Sequence, residues 1–362
     1  MYRNSSVPPE RMSRIQKRLQ DLHVDALIFL DMKNIRYLTG FTGSDGALII
    51  GDKQKFLLVD GRYTNQAEKE VDDVEVVEYK DKIDGIVSVL SDGGLKSVGF
   101  ESLAMNVSSY LKLKEKLKTV ALNPMSDEID TIRAIKDEAE IAFLKEAAEI
   151  SFQALSAVFS LIKPGVKEKD IAIELEYRMG KCGAEMVSFP IIVATGTNSA
   201  QPHAAPGLRE IENGDIVMID YGAVYHGYHS DETCTFIVGR ANKKQEEIYS
   251  LVKKAHDRAL EAIKPGAQCR EIDRIARSCI EEENMGKFFT HGTGHGVGLD
   301  VHEAPRIGDR STNILETGMV ITIEPGIYIP DLWGIRIEDM VLVKEDGCEV
   351  LTKVPKSMTI LH

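Results

Sequence analysis

The segments GDIVMIDYG, residues 214–222, and GMVITIEPG, residues 318–326, are two versions of one pattern. Each runs from a glycine through an apolar stretch to an acid, so Asp220 in the first corresponds to Glu324 in the second. IKPG likewise occurs twice, at 162–165 and 263–266, at an offset of 101 residues against 104 for the apolar segments. Two matches that occur in the same order and at nearly the same offset predict two related helix–helix–strand halves. A site between such halves would take acids from both.

Each half also predicts a hairpin that places an acid opposite an acid. Asp220 and Asp231 are centred between Tyr225 and His226, and a fold-back there would make the two carboxylates face each other. Glu324 and Glu338 are centred on Asp331, inside the turn-like sequence PDLWG. Like charges that oppose one another are destabilising, so the pattern predicts a cationic group between them.

The stretch THGTGHGVGLDVHEAP, residues 290–305, contains three histidines among glycines. Its glycines exclude a helix, and with it the helical zinc-protease motif. Glycine at alternate positions predicts an extended backbone that something approaches closely. One of these histidines supplies an imidazole ligand, and four carboxylates with one imidazole suit a pair of divalent ions. Mostly oxygen ligands favour Mn²⁺, with Co²⁺ or Zn²⁺ as competitors, and Arg336 would offset the remaining negative charge.

The composition predicts a two-domain cytoplasmic enzyme. The 362 residues are 43% hydrophobic and 28% charged, and the net charge of −13 disfavours nucleic-acid and anionic-membrane partners. The five cysteines are scattered without a CxxC motif, which favours reduced thiols, and neither a signal peptide nor a membrane span is expected. Strand and helix patterns alternate over residues 1–125, whereas an amphipathic helix at about 137–162 opens the second domain, residues 126–362.

The sequence resembles the pita-bread metallopeptidases, and within them the proline-specific branch of aminopeptidase P and prolidase. The C-terminal half carries five of the family's motifs, and the N-terminal half carries two that resemble that branch's first domain. The motifs are GTGHGVGLDVHEAP (292–305), IEPGIY (323–328), GIRIED (334–339), SDETCTF (230–236), His203 of QPHAAPG, NIRYLTGFTGSDGALIIG (34–51) and LLVDGRYTNQA (57–67). The implied fold is an α/β N-terminal creatinase-like domain followed by an α+β pita-bread domain with an internal pseudo-two-fold repeat.

The resemblance also implies a role for each site residue. Asp220 would be a terminal ligand of one metal, Asp231 and Glu338 would bridge both ions, and His295 with Glu324 would complete the second. Glu324 would also be the general base. His203, His291 and His302 would support catalysis, and Arg336 would orient a bridging acid. Relatives often carry a basic residue at the position of Cys234, which leaves open whether a salt bridge forms there.

The function implied is hydrolysis of the N-terminal Xaa-Pro bond of small peptides by a homodimeric enzyme. We favour an Xaa-Pro aminopeptidase, with an Xaa-Pro dipeptidase as the alternative. Methionine aminopeptidase fits less well because of the long N-terminal domain and the arginine of GIRIED. Creatinase-like amidinohydrolases and a metal-free binding module fit less well, because all five ligand positions are filled.

Overall fold

The computed structural model describes residues 7–91, 94–125 and 131–362. The chain divides into two compact units, residues 1–130 and 131–362. The expected boundary at residue 125 stays a prediction, since residues 126–130 lie outside the described part of the chain. No helix of the described part is both long and apolar enough to cross a bilayer.

The first unit is a mixed six-stranded sheet with helices, as the alternating pattern predicts. The strand order is β4-β3-β2-β1-β5-β6, with parallel pairs β1–β5, β3–β4 and β5–β6. Residues such as Ile28, Leu58 and Phe100 fill its core. The elements are α1 Pro9–Asp21, β1 Ala26–Phe29, α2 Met32–Thr39, β2 Ala47–Gly51, β3 Lys55–Asp60, α3 Thr64–Glu70, β4 Glu75–Tyr79, α4 Lys82–Ser91, β5 Ser97–Glu101, α5 Val107–Lys116 and β6 Ala121–Met125.

The second unit contains two helix pairs, each followed by strands. The first half comprises α6 Glu138–Val158, α7 Glu168–Cys182, β7 Met186–Val187, β8 Ile192–Thr195, β9 Ile216–Tyr221, β10 Ala223–Tyr225, β11 Tyr228–His229 and β12 Glu232–Val238. The second half comprises α8 Lys243–Glu261, α9 Cys269–Glu281, β13 Gly294–Gly296, β14 Glu303–Ile307, β15 Val320–Ile323, β16 Gly326–Ile329, β17 Trp333–Arg336, β18 Asp339–Lys344, β19 Gly347–Val350 and β20 Thr359–Leu361.

The helix predicted at 137–162 is α6 together with a short 3₁₀ turn, Phe159–Leu161. Asp137 caps it, because its side chain accepts a hydrogen bond from Glu140 N while the Glu140 side chain accepts one from Asp137 N. This capping box satisfies two backbone donors at the helix start.

Equivalent backbone contacts recur in the two halves and confirm the internal repeat. Gly165 N donates to Ile211 O over 2.9 Å, and Gly266 N donates to Leu315 O over 2.8 Å. Both glycines have positive φ, 84° and 86°. The apolar face of each helix pair packs on strands of its own half, α6 and α7 on β9 and β12, and α8 and α9 on β15 and β18. The repeat therefore brings two similar sheets into one unit.

The first hairpin forms, but its register differs from the one expected. Asp220 lies opposite Thr233 rather than Asp231, and Tyr225 pairs with Tyr228. The turn therefore falls at His226 and Gly227, one position later than predicted, and both residues have positive φ. Because the register shifts by two residues, Asp220 and Asp231 still share one face of the ladder, in a diagonal relation.

The second hairpin has the predicted register. Ile323 pairs with Asp339 and Gly326 pairs with Arg336, so Glu324 and Glu338 occupy opposed positions between these two pairs. The turn lies at Asp331, whose φ is 61°. An aspartate at this position accommodates a left-handed conformation better than most other side chains.

The glycine-rich stretch is extended in part, as predicted: Gly294–Gly296 forms β13, whereas residues 298–302 bend. What approaches it closely is backbone of the same unit. A Cβ on Gly294 would lie 1.9 Å from Thr322 O, and one on Gly296 would lie 2.2 Å from Ala304 O. Glycine at these positions thus lets β13 sit between β14 and β15.

Candidate metal centre

The predicted acids meet where the sheets of the two halves join. Glu338 N donates to Thr233 O over 3.2 Å, and the Thr233 hydroxyl donates to Glu338 Oε2 over 2.7 Å. This junction between the start of β12 and the start of β18 is called the seam below. It places Asp231 of the first half beside Glu338 of the second, and both are buried.

Asp231, His295 and Glu338 form a group of potential metal ligands. One donor atom from each lies within 4.8 Å of the others. His295 Nε2 is 3.5 Å from Asp231 Oδ2 and 3.5 Å from Glu324 Oε1. These separations exceed those of good hydrogen bonds and suit atoms that face a shared cation.

Asp220 is held by Arg336 at one oxygen only. Arg336 Nη2 donates to Asp220 Oδ2 over 2.6 Å. The other oxygen, Oδ1, is buried and finds no hydrogen-bond partner among the described residues. A buried carboxylate oxygen without a partner is costly, so Oδ1 is open to a ligand such as a metal ion.

Arg336 contacts Asp220 directly and Glu338 only through another side chain. Its Nε donates to Thr233 Oγ1 over 2.9 Å, and this hydroxyl donates in turn to Glu338. Nη1 donates to Tyr328 Oη over 2.8 Å. The expected orientation of Glu338 by Arg336 is thus indirect, because Thr233 lies between them.

Burial and mutual repulsion raise the pKa values of the acids. Burial raises the pKa of Glu324 to about 8, and the negative charge of Asp220 adds to this effect. Burial raises the pKa values of Asp231 and Glu338 well above the ordinary range, and the neighbouring carboxylates add to it. Arg336 opposes the shift in all three without cancelling it. Several acids in one buried site are in the ionised form only if further positive charge is present.

His295 is held as a neutral imidazole, the form that can bind a metal ion. Burial lowers the pKa of His295 to about 3, and the neighbouring His302 acts in the same direction. Its Nδ1 lies 3.1 Å from Gly296 O, so Nδ1 carries the proton and donates it to this carbonyl. The lone pair of Nε2 then faces Asp231 and Glu324. A carbonyl that fixes the tautomer in this way is the usual support of a metal-binding imidazole.

His291 belongs to a hydrogen-bond chain beside the acids. Its Nδ1 lies 2.8 Å from Gly292 O and its Nε2 lies 2.9 Å from Tyr328 Oη. Burial, followed by the charge of Arg336, lowers the pKa of His291 to about 4. The neutral ring donates a hydrogen bond from Nδ1 to Gly292 O and accepts one from the Tyr328 hydroxyl at Nε2. Tyr328 therefore links His291 to Arg336.

His302 and His203 lie on the exposed side of the site. The His302 ring centre is 4.2 Å from that of His295, and two acids close to it in the sequence, Asp300 and Glu303, form ion pairs with Arg133. His203 follows Pro202, whose carbonyl accepts a hydrogen bond from Arg336 over 3.1 Å. Burial lowers the pKa of His302, and His203 contributes to that shift. Both residues nevertheless keep exposed surface, so their side chains are accessible from outside the site.

The donor set fits a pair of divalent ions. Four carboxylates and one neutral imidazole converge, Asp220 Oδ1 is unpartnered, and the raised pKa values of the acids indicate a shortage of positive charge. Mainly oxygen donors with one nitrogen suit Mn²⁺.

Sequence reasoning missed Thr233 and Tyr328. Thr233 connects Arg336 with Glu338, and Tyr328 connects Arg336 with His291. A signal for Thr233 was present, because it lies two residues after Asp231 and, in an extended chain, its side chain points to the same face. Tyr328 lies within IEPGIY, but its position in that stretch does not reveal which side chains it contacts.

Two family models match the chain. Metallopeptidase family M24 matches residues 142–345, and the creatinase/prolidase N-terminal domain matches residues 11–135. An Xaa-Pro dipeptidase of Pyrococcus furiosus is 39% identical, with 96% of this chain and 99% of that protein covered.

Solved structures agree with this assignment. An Xaa-Pro dipeptidase from Bacillus anthracis superimposes with a TM-score of 0.94 at 40% identity, covering 98% of this chain and 99% of that one. An X-Pro aminopeptidase from Thermotoga maritima gives a TM-score of 0.89 at 37% identity, covering 97% of this chain and 99% of that one.

Proposed function

The chain belongs to metallopeptidase family M24, and from this premise we propose that it is an Xaa-Pro dipeptidase that uses two divalent ions. The observation that carries the proposal is the buried group of Asp231, His295 and Glu338, with Asp220 and Glu324 beside it. Asp220, Asp231, His295, Glu324 and Glu338 are proposed as the ligands. A metal-free binding module would have no use for so many buried acids.

Each residue of the site has its own role in amide hydrolysis. Divalent ions, when bound, supply Lewis acidity towards the substrate carbonyl and towards a water molecule. Glu324 accepts the proton of the attacking water and passes it to the leaving nitrogen. His203 and His302, on the exposed side, donate hydrogen bonds to the substrate. Arg336 holds Asp220 in place by a hydrogen bond. Tyr328 links Arg336 to His291, so both residues support this side of the site.

The activities for which the relatives are named favour the dipeptidase over the aminopeptidase that we expected from sequence. The Xaa-Pro dipeptidases of two Pyrococcus species and the B. anthracis structure support it. The T. maritima aminopeptidase, at similar identity, keeps Xaa-Pro aminopeptidase as the second candidate.

The two candidates differ in whether the substrate extends beyond proline. We expect the protein reconstituted with Mn²⁺ to cleave Ala-Pro and to leave Ala-Pro-Ala and Ala-Ala-Ala intact, measured as released alanine. Release of alanine from Ala-Pro-Ala would establish an aminopeptidase instead. Equal cleavage of Ala-Ala-Ala would contradict proline specificity altogether.

Mn²⁺ as the physiological ion and a homodimer complete the proposal. The oxygen-rich ligand set supports Mn²⁺ over Zn²⁺ or Co²⁺. Activity titrations of the stripped protein with each ion test the first point, and sedimentation equilibrium tests the second. The cytoplasmic location stays a prediction.

A further inference from the structure

A second buried cluster of charges lies on the other side of the seam. Each strand at the seam carries two consecutive acids, Asp231 with Glu232 on the β12 side and Glu338 with Asp339 on the β18 side. Successive residues of a strand point to opposite faces. Asp231 and Glu338 face the proposed metals, so Glu232 and Asp339 face away from them.

Lys356 lies between the two acids on this rear face. Its ammonium contacts Glu232 Oε1 and lies 3.5 Å from Asp339 Oδ1. It also lies 3.3 Å from the sulfur of Cys234, which shares the rear face of β12 with Glu232. The Lys356, Glu232 and Asp339 side chains are only 6%, 1% and 7% exposed. A single buried cation from the C-terminal segment thus touches both strands of the seam.

Further side chains of the cluster contact the two rear acids. Glu232 accepts a hydrogen bond from the Tyr221 hydroxyl over 3.0 Å, and Asp339 accepts one from the Thr352 hydroxyl over 2.5 Å. His256 Nε2 lies 3.2 Å from Asp339 Oδ2. Burial acts to lower the pKa of Lys356, but the groups around it hold that pKa above its ordinary value. Lys356 therefore carries its charge.

The contacts of Lys356 affect the proposed metal site because each rear acid is the sequence neighbour of a proposed ligand. Glu232 adjoins Asp231, and Asp339 adjoins Glu338, so any separation of the rear acids moves the front acids too. Without Lys356 the rear acids would repel each other in a buried setting. The hydrogen bonds of Thr233 with Glu338 and Arg336 would remain, but the contact on the rear face of the seam would be lost.

We propose that Lys356 is a positioning residue that holds Asp231 and Glu338 at the spacing required for binding divalent ions, by joining Glu232 and Asp339 behind them. This inference rests on the metal site of the proposed function. It gives the C-terminal segment a role in metal affinity, although that segment supplies no ligand. Residues that support ligands typically change metal affinity by about 10- to 100-fold when they are replaced.

The test measures Mn²⁺ affinity by calorimetry on the stripped full-length chain. We expect Lys356→Met to weaken Mn²⁺ binding by about 10- to 100-fold, and Lys356→Arg to restore most of the affinity. The matched control is Lys353→Met, which removes an exposed lysine of the same segment that pairs with Glu149. This control should bind Mn²⁺ like the wild type.

The outcomes separate this inference from the proposed function. A Lys356→Met protein that melts earlier but binds Mn²⁺ with unchanged affinity would overturn the positioning role. A wild-type protein that binds no Mn²⁺ would instead defeat the proposed metal site. If Lys356→Met does not fold, the double variant Glu232→Gln/Lys356→Met removes one buried acid with the cation. Unchanged affinity in that variant would also overturn the inference, and weakened affinity would support it.

Discussion

Replacing Glu324 by glutamine should reduce the turnover of Ala-Pro by a factor of about 10²–10⁴, the range that general acid–base groups contribute. The substitution keeps the shape of the side chain but removes its ability to accept a proton. It also removes a negative charge from a site that includes His295 Nε2 at 3.5 Å. Both effects lower the rate. The measurement is kcat at saturating substrate with excess Mn²⁺.

Metal content distinguishes the two proposed roles of Glu324. If the variant retains both ions and loses turnover, proton transfer accounts for the loss. If it retains one ion, Glu324 acts chiefly as a ligand. Glu316→Gln, which alters an exposed acid shortly before β15, is the matched control and should leave kcat unchanged. Turnover at the wild-type rate in Glu324→Gln would remove Glu324 from the mechanism.

Stripping the divalent ions should lower the melting temperature by about 5–10 °C, because ions that bind only the native state stabilise it by mass action. The loss should be larger at pH 8 than at pH 6. Thermal unfolding followed by circular dichroism, with and without a chelator, measures both effects. Chelator treatment of Asp231→Asn, which lacks a proposed bridging acid, should produce a smaller change.

The pH dependence follows from the direction of the pKa shifts. Without metal, the pKa of Glu324 rises from 4.5 in the unfolded chain to about 8 in the folded one, and those of Asp231 and Glu338 also rise. A raised pKa means that the folded state binds the proton more tightly. In the metal-free protein these groups therefore contribute their full stabilisation of the folded state below about pH 4.5. That contribution is lost as the pH rises towards 8. A melting temperature that is unaffected by verified chelation at pH 8 would contradict this account.

Much of the site can be predicted from the sequence, because the internal repeat aligns the acids of one half with those of the other. Asp331 is the centre of the second hairpin, and its turn sequence predicts the opposition of Glu324 and Glu338 correctly. The first hairpin has no such marker. Its turn depends on positive φ at His226 and Gly227, and histidine is not a residue whose presence alone locates a turn.

The contacts that join the two halves could not be predicted from spacing. The bonds between Thr233 and Glu338 connect residues 105 positions apart. The pairing of Lys356 with Glu232 spans 124 positions. Such contacts depend on how the two half-sheets meet, which no local pattern specifies. The close approach of Thr322 O to Gly294 could not be predicted either. The glycines indicate that some group lies close to the backbone, but they do not show which residue it belongs to.

The central claim is that the buried acids of the two halves hold a pair of divalent ions. Anomalous diffraction from a crystal soaked in Mn²⁺, recorded at the manganese absorption edge, tests it most directly. We expect two peaks about 3.5–4 Å apart. The carboxylates of Asp231 and Glu338 should contact both peaks, whereas Asp220 should contact one peak and His295 the other. An absence of peaks at this position, or a single peak elsewhere in the chain, would contradict the account.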